Sequence, residues 1–266
     1  MPSGSRWTRG ELLIAMNLYH KLNFGQLDAR NPVIIELAGK LKRTPGSVAM
    51  KLCNFASLDP ALKLRGIKGL QGASALDRTV WEEYHQQPLE VIPETEEALG
   101  ELFGAKDASD IEVIPKVGIK ISRKPPEGPT EIFANVRLRR GQNYFRNAVI
   151  NNFGGRCGVT GLPIRELLVA SHIVPWSQSE QERLNVRNGL CLNRLHDAAF
   201  DQGFIGFDDE LRLILSPKLR KSVSEPSVKD EFERYERVTL QVPKDGVLPD
   251  EAFLEIHRQR WKLHAR

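Results

Sequence analysis

Residues 170–176 read ASHIVPW, an apolar run with one ionisable ring in it, His172. Two readings are open: a core histidine satisfied by its neighbours, or a base held on a strand. An imidazole titrates near neutrality, so a positioned ring can take a proton from water. Downstream, RNGLCLNRLHDAAFDQGFI carries a second histidine, His196, followed by Asp197 and Asp201. The thiols offer less. Cys53, Cys157 and Cys191 are odd in number and far apart, so a disulfide framework is not expected and reduced thiols fit the chain better. The other histidines read as packing or surface residues. His20 and His85 fall in helical stretches, and His257 and His264 stand two helical turns apart with no partner in view.

The elements that must position His172 and His196 follow from pattern. CGVTGLPIRELLVASHIVPW reads as a β-hairpin turning at Gly161–Pro163, with His172 on its second strand. A polar loop, SQSEQERLN, comes next. A helix is expected from about Asn193 to just before Gly203, and then a hairpin with Asp208–Asp209 at its turn, GFDDELRLIL. DEAFLEIHRQRWKLHAR reads as a terminal helix. Upstream, RRGQNYFRNAVINNFGGRC is a basic amphipathic helix, with Phe145, Val149 and Phe153 at helical spacing and Gly154–Gly155 as its stop.

The N-terminal part reads as a small all-α domain, residues 1–88. Thr8 and Glu11 have capping-box spacing, and Asn31–Pro32 and Thr44–Pro45 each look like a cap followed by a first-turn proline. The two helices joined by KRT resemble a helix-turn-helix. On that reading Arg43, Ser47 and Lys51 lie on or beside the second helix and face DNA. Residues 89–130 are acidic and then proline-rich, and are expected as a linker; residues 131–266 form the second domain. Lys and Arg cluster before and after the acidic stretch, and Arg137, Arg139 and Arg140 are further candidates for nucleic-acid contact.

Composition sets the outer bounds. The 266 residues are 41% hydrophobic and 27% charged, enough for a sizeable core, and net charge is +4. No apolar run reaches the ~18 residues that span a bilayer. The start, MPSGSRWTRG, lacks the apolar stretch of a signal peptide, so no membrane partner and a cytoplasmic location are expected.

CGVTGLPIRELLVASHIVPW, NVRNGLCLNRLH and AAFDQGFI together resemble the HNH (ββα-metal) endonuclease family, in its restriction-enzyme-like branch. The resemblance covers roughly residues 139 to 215. It implies an α+β chain with a helix-turn-helix-like domain, a linker and a C-terminal ββα-metal nuclease domain. It implies His172 as general base, Asn188 as tether of the loop and His196 as metal ligand. Ser171 stands where many members carry a second ligand; Asp201 is the expected substitute, with Asp197 as competitor. The paired CxxC motifs of a structural zinc are broken, at Thr160 after Cys157 and at Arg194 after Cys191, so no structural zinc is expected. The implied cofactor is one divalent ion per site, Mg2+ or Mn2+, with Ni2+ as a further option. The implied substrate is double-stranded DNA, in a restriction or defence role. One such centre cuts one strand, so a double-strand break would need a homodimer or two events. A regulatory DNA-binding protein with a decayed nuclease fold is the alternative, and Ser171 is the feature in its favour.

Overall fold

A computed structural model describes residues 6–105, 110–121 and 134–263, with side chains in the helix that starts at 134 described from residue 140 onward. The chain divides into two compact units, Met1–Ala148 and Val149–Arg266.

The first unit is built on α1 (Arg9–Lys21), α2 (Pro32–Lys40), α3 (Pro45–Ala56), α4 (Pro60–Leu64), α5 (Ala75–Gln86) and α6 (Pro88–Phe103). The caps behave as their residue types require: Thr8 and Glu11 close a capping box, and Asn31 and Thr44 accept from Val33 N–H and Ser47 N–H. Leu12, Ala15, Met16 and Leu18 of α1 are fully buried, because α3, α5 and α6 all pack against this helix.

The expected linker is not one over its first half. Residues 88–103 form α6, with Val91, Ile92 and Leu99 buried. The acidic residues that suggested a spacer are mostly its outer face. Glu96 is the exception: it is buried and ion-paired with the equally buried Lys21, and its Oε1 also accepts from Asn17 Nδ2 at 2.6 Å. A buried charge survives only when paired and hydrogen-bonded. After α6, β1 (Ile111–Ile114) and β2 (Gly118–Ile121) form an antiparallel hairpin. Val113 N–H of that hairpin donates to Asn147 Oδ1 at 3.0 Å, on α7 (Ala134–Asn152). The unit thus runs well past residue 88. The proline-rich residues 122–130 lie outside the described residues.

The second unit contains β3 (Leu168–His172), paired antiparallel with β4 (Gly189–Asn193) in a register that sets His172 opposite Gly189 and Ser171 opposite Leu190. α8 (Arg194–Asp201) follows β4 directly and packs on both strands. β5 (Ile205–Phe207) and β6 (Leu213–Leu215) form the second hairpin, whose turn is held by Asp208 Oδ1 accepting from Glu210 and Arg212 N–H. Two short helices, α9 (Pro217–Arg220) and α10 (Pro226–Glu231), precede α11 (Glu251–Trp261).

His172 therefore sits on the first strand of its hairpin, not the second. Residues 157–167 do not pair as a strand. They form a tight loop in which Gly161 takes φ +72°, Cys157 N–H donates to Leu162 O, and the buried Cys157 Sγ accepts from Asn193 N–H at 3.3 Å. Pro163 has no N–H to give a ladder, and the left-handed glycine turns the chain back before a strand can start.

Candidate active site

β3 ends at His172 with the ring half-buried. Its Nε2–H donates to the carbonyl of Arg183 at 2.9 Å, so the lone pair of this tautomer resides on Nδ1. Trp176 meets the ring edge-on at 5.4 Å. Arg183 Nε donates to Trp176 O at 2.9 Å, and its guanidinium lies 5.3 Å from the Trp176 ring centre. The loop after β3 thus grips the imidazole it must orient. Burial holds the imidazole below its usual range, with the Arg183 carbonyl working against that, so the neutral, basic form predominates at neutral pH.

Asn188 is buried just before β4. Its Oδ1 accepts from Val174 N–H at 2.8 Å, and its Nδ2 donates to the carbonyls of Val174 and Glu182, both at 3.1 Å. Its own carbonyl accepts from Ile173 N–H at 2.9 Å. One amide therefore ties both ends of the 173–188 loop together, next to the residue that follows His172.

α8 brings carboxylates to the same hairpin. Asn193 caps it, accepting from His196 N–H at 2.8 Å. Asp197 and Asp201 are one turn apart, about 40° around the helix, and so share a face. The buried Ser171 hydroxyl, on β3 beside His172, has no hydrogen-bond partner among the described residues, and its proximity to Asp197, with the charge of Arg194, favours the ionised carboxylate. Burial outweighs both and raises Asp197 above the ordinary carboxylate range. Asp201, at the solvent edge, is raised first by the low-dielectric mass beneath it and then by the charge of Asp197, with Arg260 opposing. The face thus carries two carboxylates, Asp197 half-buried and Asp201 exposed, close enough that the charge of Asp197 raises Asp201.

His196 belongs to a different face, about 140° from Asp201. It is fully buried, its Nδ1–H donates to Asn193 Oδ1 at 3.0 Å, and Phe232 and Tyr235 pack on the ring at 5.2 and 5.8 Å. Burial lowers its pKa to about 4, with the adjacent Glu231 backbone opposing. Helix geometry therefore puts Asp197 and Asp201 on one face and His196, whose buried Nε2 has no hydrogen-bond partner among the described residues, on another. Among the described residues no three His, Cys, Asp or Glu side chains converge as a metal site. Two carboxylates remain suited to a hard cation that keeps part of its water shell. The i, i+4 spacing of Asp197 and Asp201 was the available signal for this pair.

The nucleic-acid candidates are placed as follows. Arg43 is ion-paired with Glu11 at 2.8 Å and stacks on Trp7 at 4.2 Å. Lys51 is buried against Asp77 at 2.8 Å. Neither forms the open basic face expected of α3; the exposed residues there include Gly46 and the apolar Met50. Ser47 is half-buried in the first turn. Arg140 pairs with Glu97 at 2.9 Å. Arg137 and Arg139 lie in the first turns of α7, and their side chains fall outside the described residues. No described helix is long and apolar enough to cross a membrane.

Residues 157–208 match a family model described as HNH endonuclease. That span holds β3, the 173–188 loop, β4 and α8, with His172, Asn188, His196, Asp197 and Asp201; Phe232, Tyr235 and Arg260 lie beyond it. No curated protein matches the chain.

Proposed function

From the HNH-family domain at residues 157–208, we propose that this chain is a metal-dependent endonuclease that hydrolyses phosphodiester bonds in double-stranded DNA. The observation that supports it most is the joining of two chemistries at one hairpin. His172, oriented by the Arg183 carbonyl, ends the strand on which α8 packs, and α8 carries Asp197 and Asp201 on one face.

On this reading Nδ1 of His172 accepts a proton from a water as its oxygen attacks phosphorus, and the bond to the 3′-oxygen breaks. Trp176 and the 173–188 loop fix the ring, and Asn188 fixes the loop. A divalent ion held by Asp197 and Asp201 would neutralise the phosphate and the departing oxygen. Two carboxylate ligands suit Mg2+ or Mn2+ better than a softer ion. His196 then acts as a packed keystone at the start of α8.

The N-terminal unit would select the DNA, with α2 and α3 as a helix-turn-helix-like pair, in a restriction or defence role in the cytoplasm. With Arg43 and Lys51 engaged internally, phosphate contact falls to other basic residues, among them Arg137 and Arg139. A homodimer would supply the two centres that a double-strand break needs.

The test is conversion of supercoiled plasmid with Mg2+ or Mn2+, with and without chelator. Metal-dependent nicking lost in His172→Ala supports the proposal. The burial of His196 favours a second reading, a DNA-binding protein whose nuclease fold no longer cuts. Tight DNA binding with no nicking under any divalent ion would establish that reading instead.

A further inference from the structure

The family match ends at residue 208, yet the end of α8 is held by a helix far beyond it. His257, on α11, is buried and donates from Nε2–H to the carbonyl of Phe200 at 3.0 Å. Its ring stacks on the Phe200 ring at 3.7 Å between centres and 4° between planes. The Phe200 carbonyl belongs to the same rigid peptide unit as the N–H of Asp201. It lies in the last turn, where it also accepts from Gly203 N–H at 3.0 Å. Two neighbouring contacts fix the same region. A Cβ on Gly203 would fall 2.3 Å from the Trp261 ring, so α11 packs directly on the bare glycine that ends α8. Arg258 Nη1 donates to Phe207 O at 2.9 Å, tying α11 to β5 as well.

We infer that His257 is a positioning residue: by holding the Phe200–Asp201 peptide, it sets the distance between the Asp201 and Asp197 carboxylates. This rests on the reading of those carboxylates as the ion-binding pair. Asp201 is the last residue of a two-turn helix whose end closes through Gly203 N–H to Phe200 O and Phe204 N–H to Ala199 O, and the hydrogen bond and ring stack from α11 add an anchor from outside the helix.

Full-length wild-type protein, His257→Phe, His257→Gln and Asp201→Asn are compared by calorimetric titration with Mn2+, alongside thermal unfolding. Phenylalanine keeps the stack and loses the donor; glutamine keeps a donor and loses the stack. Loss of a partner that orients a ligand typically weakens metal affinity 10–100-fold, so His257→Phe should bind Mn2+ about tenfold more weakly and His257→Gln within about threefold of wild type. A role in packing alone would lower the melting temperature of both variants and leave both affinities at the wild-type value, which overturns the inference. Uptake lost in Asp201→Asn but unchanged in His257→Phe overturns the inference and leaves the ion-binding pair standing. If the wild-type protein takes up no Mn2+, the ion-binding reading falls and this inference falls with it.

Discussion

At the scale of single residues, the chemistry divides between a ring that must stay neutral and carboxylates that must stay charged. Burial keeps the His172 imidazole below its usual range, and a base works only in its neutral form. The rate of DNA nicking should therefore rise with pH and level off, with an acid limb centred below the ~6.5 of an unperturbed histidine. A limb centred above that value would remove His172 as the titrating base. Replacing the ring by alanine should cost ~10²–10⁴-fold in rate with DNA binding retained. The carboxylates and His196 should separate cleanly. Asp197→Asn and Asp201→Asn should each weaken Mn2+ binding and leave folding intact, since both side chains reach the surface of α8. His196→Ala should instead lower stability by about 3 kcal/mol, because it empties a fully buried site beneath Phe232 and Tyr235. Denaturant unfolding and calorimetry on the same variants decide the matter. Normal stability with lost Mn2+ uptake in His196→Ala would assign the ligand role back to that ring.

At the scale of elements, the 173–188 loop matters more than its polar composition suggests. It joins the two strands of the hairpin, and the Asn188 amide ties its ends, accepting from Val174 and donating to Val174 and Glu182. Asn188→Asp keeps the shape and turns the donor into a second acceptor, facing two carbonyls. That mismatch should cost about 2–3 kcal/mol of loop stability. Because Arg183 O is the partner of His172, cleavage should fall with it. Amide hydrogen exchange across 173–188 measures the loop directly. Protection equal to wild type would mean the tether is dispensable. The cap residues of α1, α2, α3 and α8 were legible in sequence because a cap is a local bargain between a side chain and the next turn. The strand partner of β3 was not legible. CGVTGLPIRELL alternates well enough to suggest a strand, but Pro163 and the left-handed Gly161 stop it, and β4 takes its place across the loop.

At the scale of the whole chain, the N-terminal unit spends its charges internally. Lys51 faces Asp77, which is completely buried, and Lys21 faces Glu96. Breaking one partner of a buried pair typically costs ~3–5 kcal/mol, so Lys51→Met should destabilise this unit by about that much. The Arg43→Gln/Lys51→Gln variant, measured where it remains folded, should leave the salt dependence of DNA affinity unchanged. If both side chains met phosphates, the slope of log affinity against log salt would shrink by about 1.8. Buried histidines add a pH term of definite sign. His257, like His196, is lowered to about 4 by burial, and burial also lowers His20. Their folded pKa values lie below the unfolded value near 6.5, so the unfolded chain binds more protons between pH 6.5 and 4. Stability should fall as pH drops through that window and stay whole above it. Melting temperature measured from pH 7 to pH 4 in the absence of divalent ions tests this. A flat profile would mean the three rings are charged or solvated in the folded chain.

The sequence by itself determined the local signals: helix caps, the order His172, Asn188, His196, and the likeness that the family match at 157–208 supports. These depend on residue type and short spacing, which a chain carries wherever it goes. The tertiary structure alone decided which way each side chain turned. His196 and Asp197 are neighbours in sequence, yet one is sealed beneath Phe232 and the other is only half-buried. Glu96 read as part of an acidic linker and Lys51 as a DNA contact, yet each is buried against a partner distant in sequence. A helix fixes the angle between successive side chains, but only the elements packed on it determine which angle faces water and which faces the core.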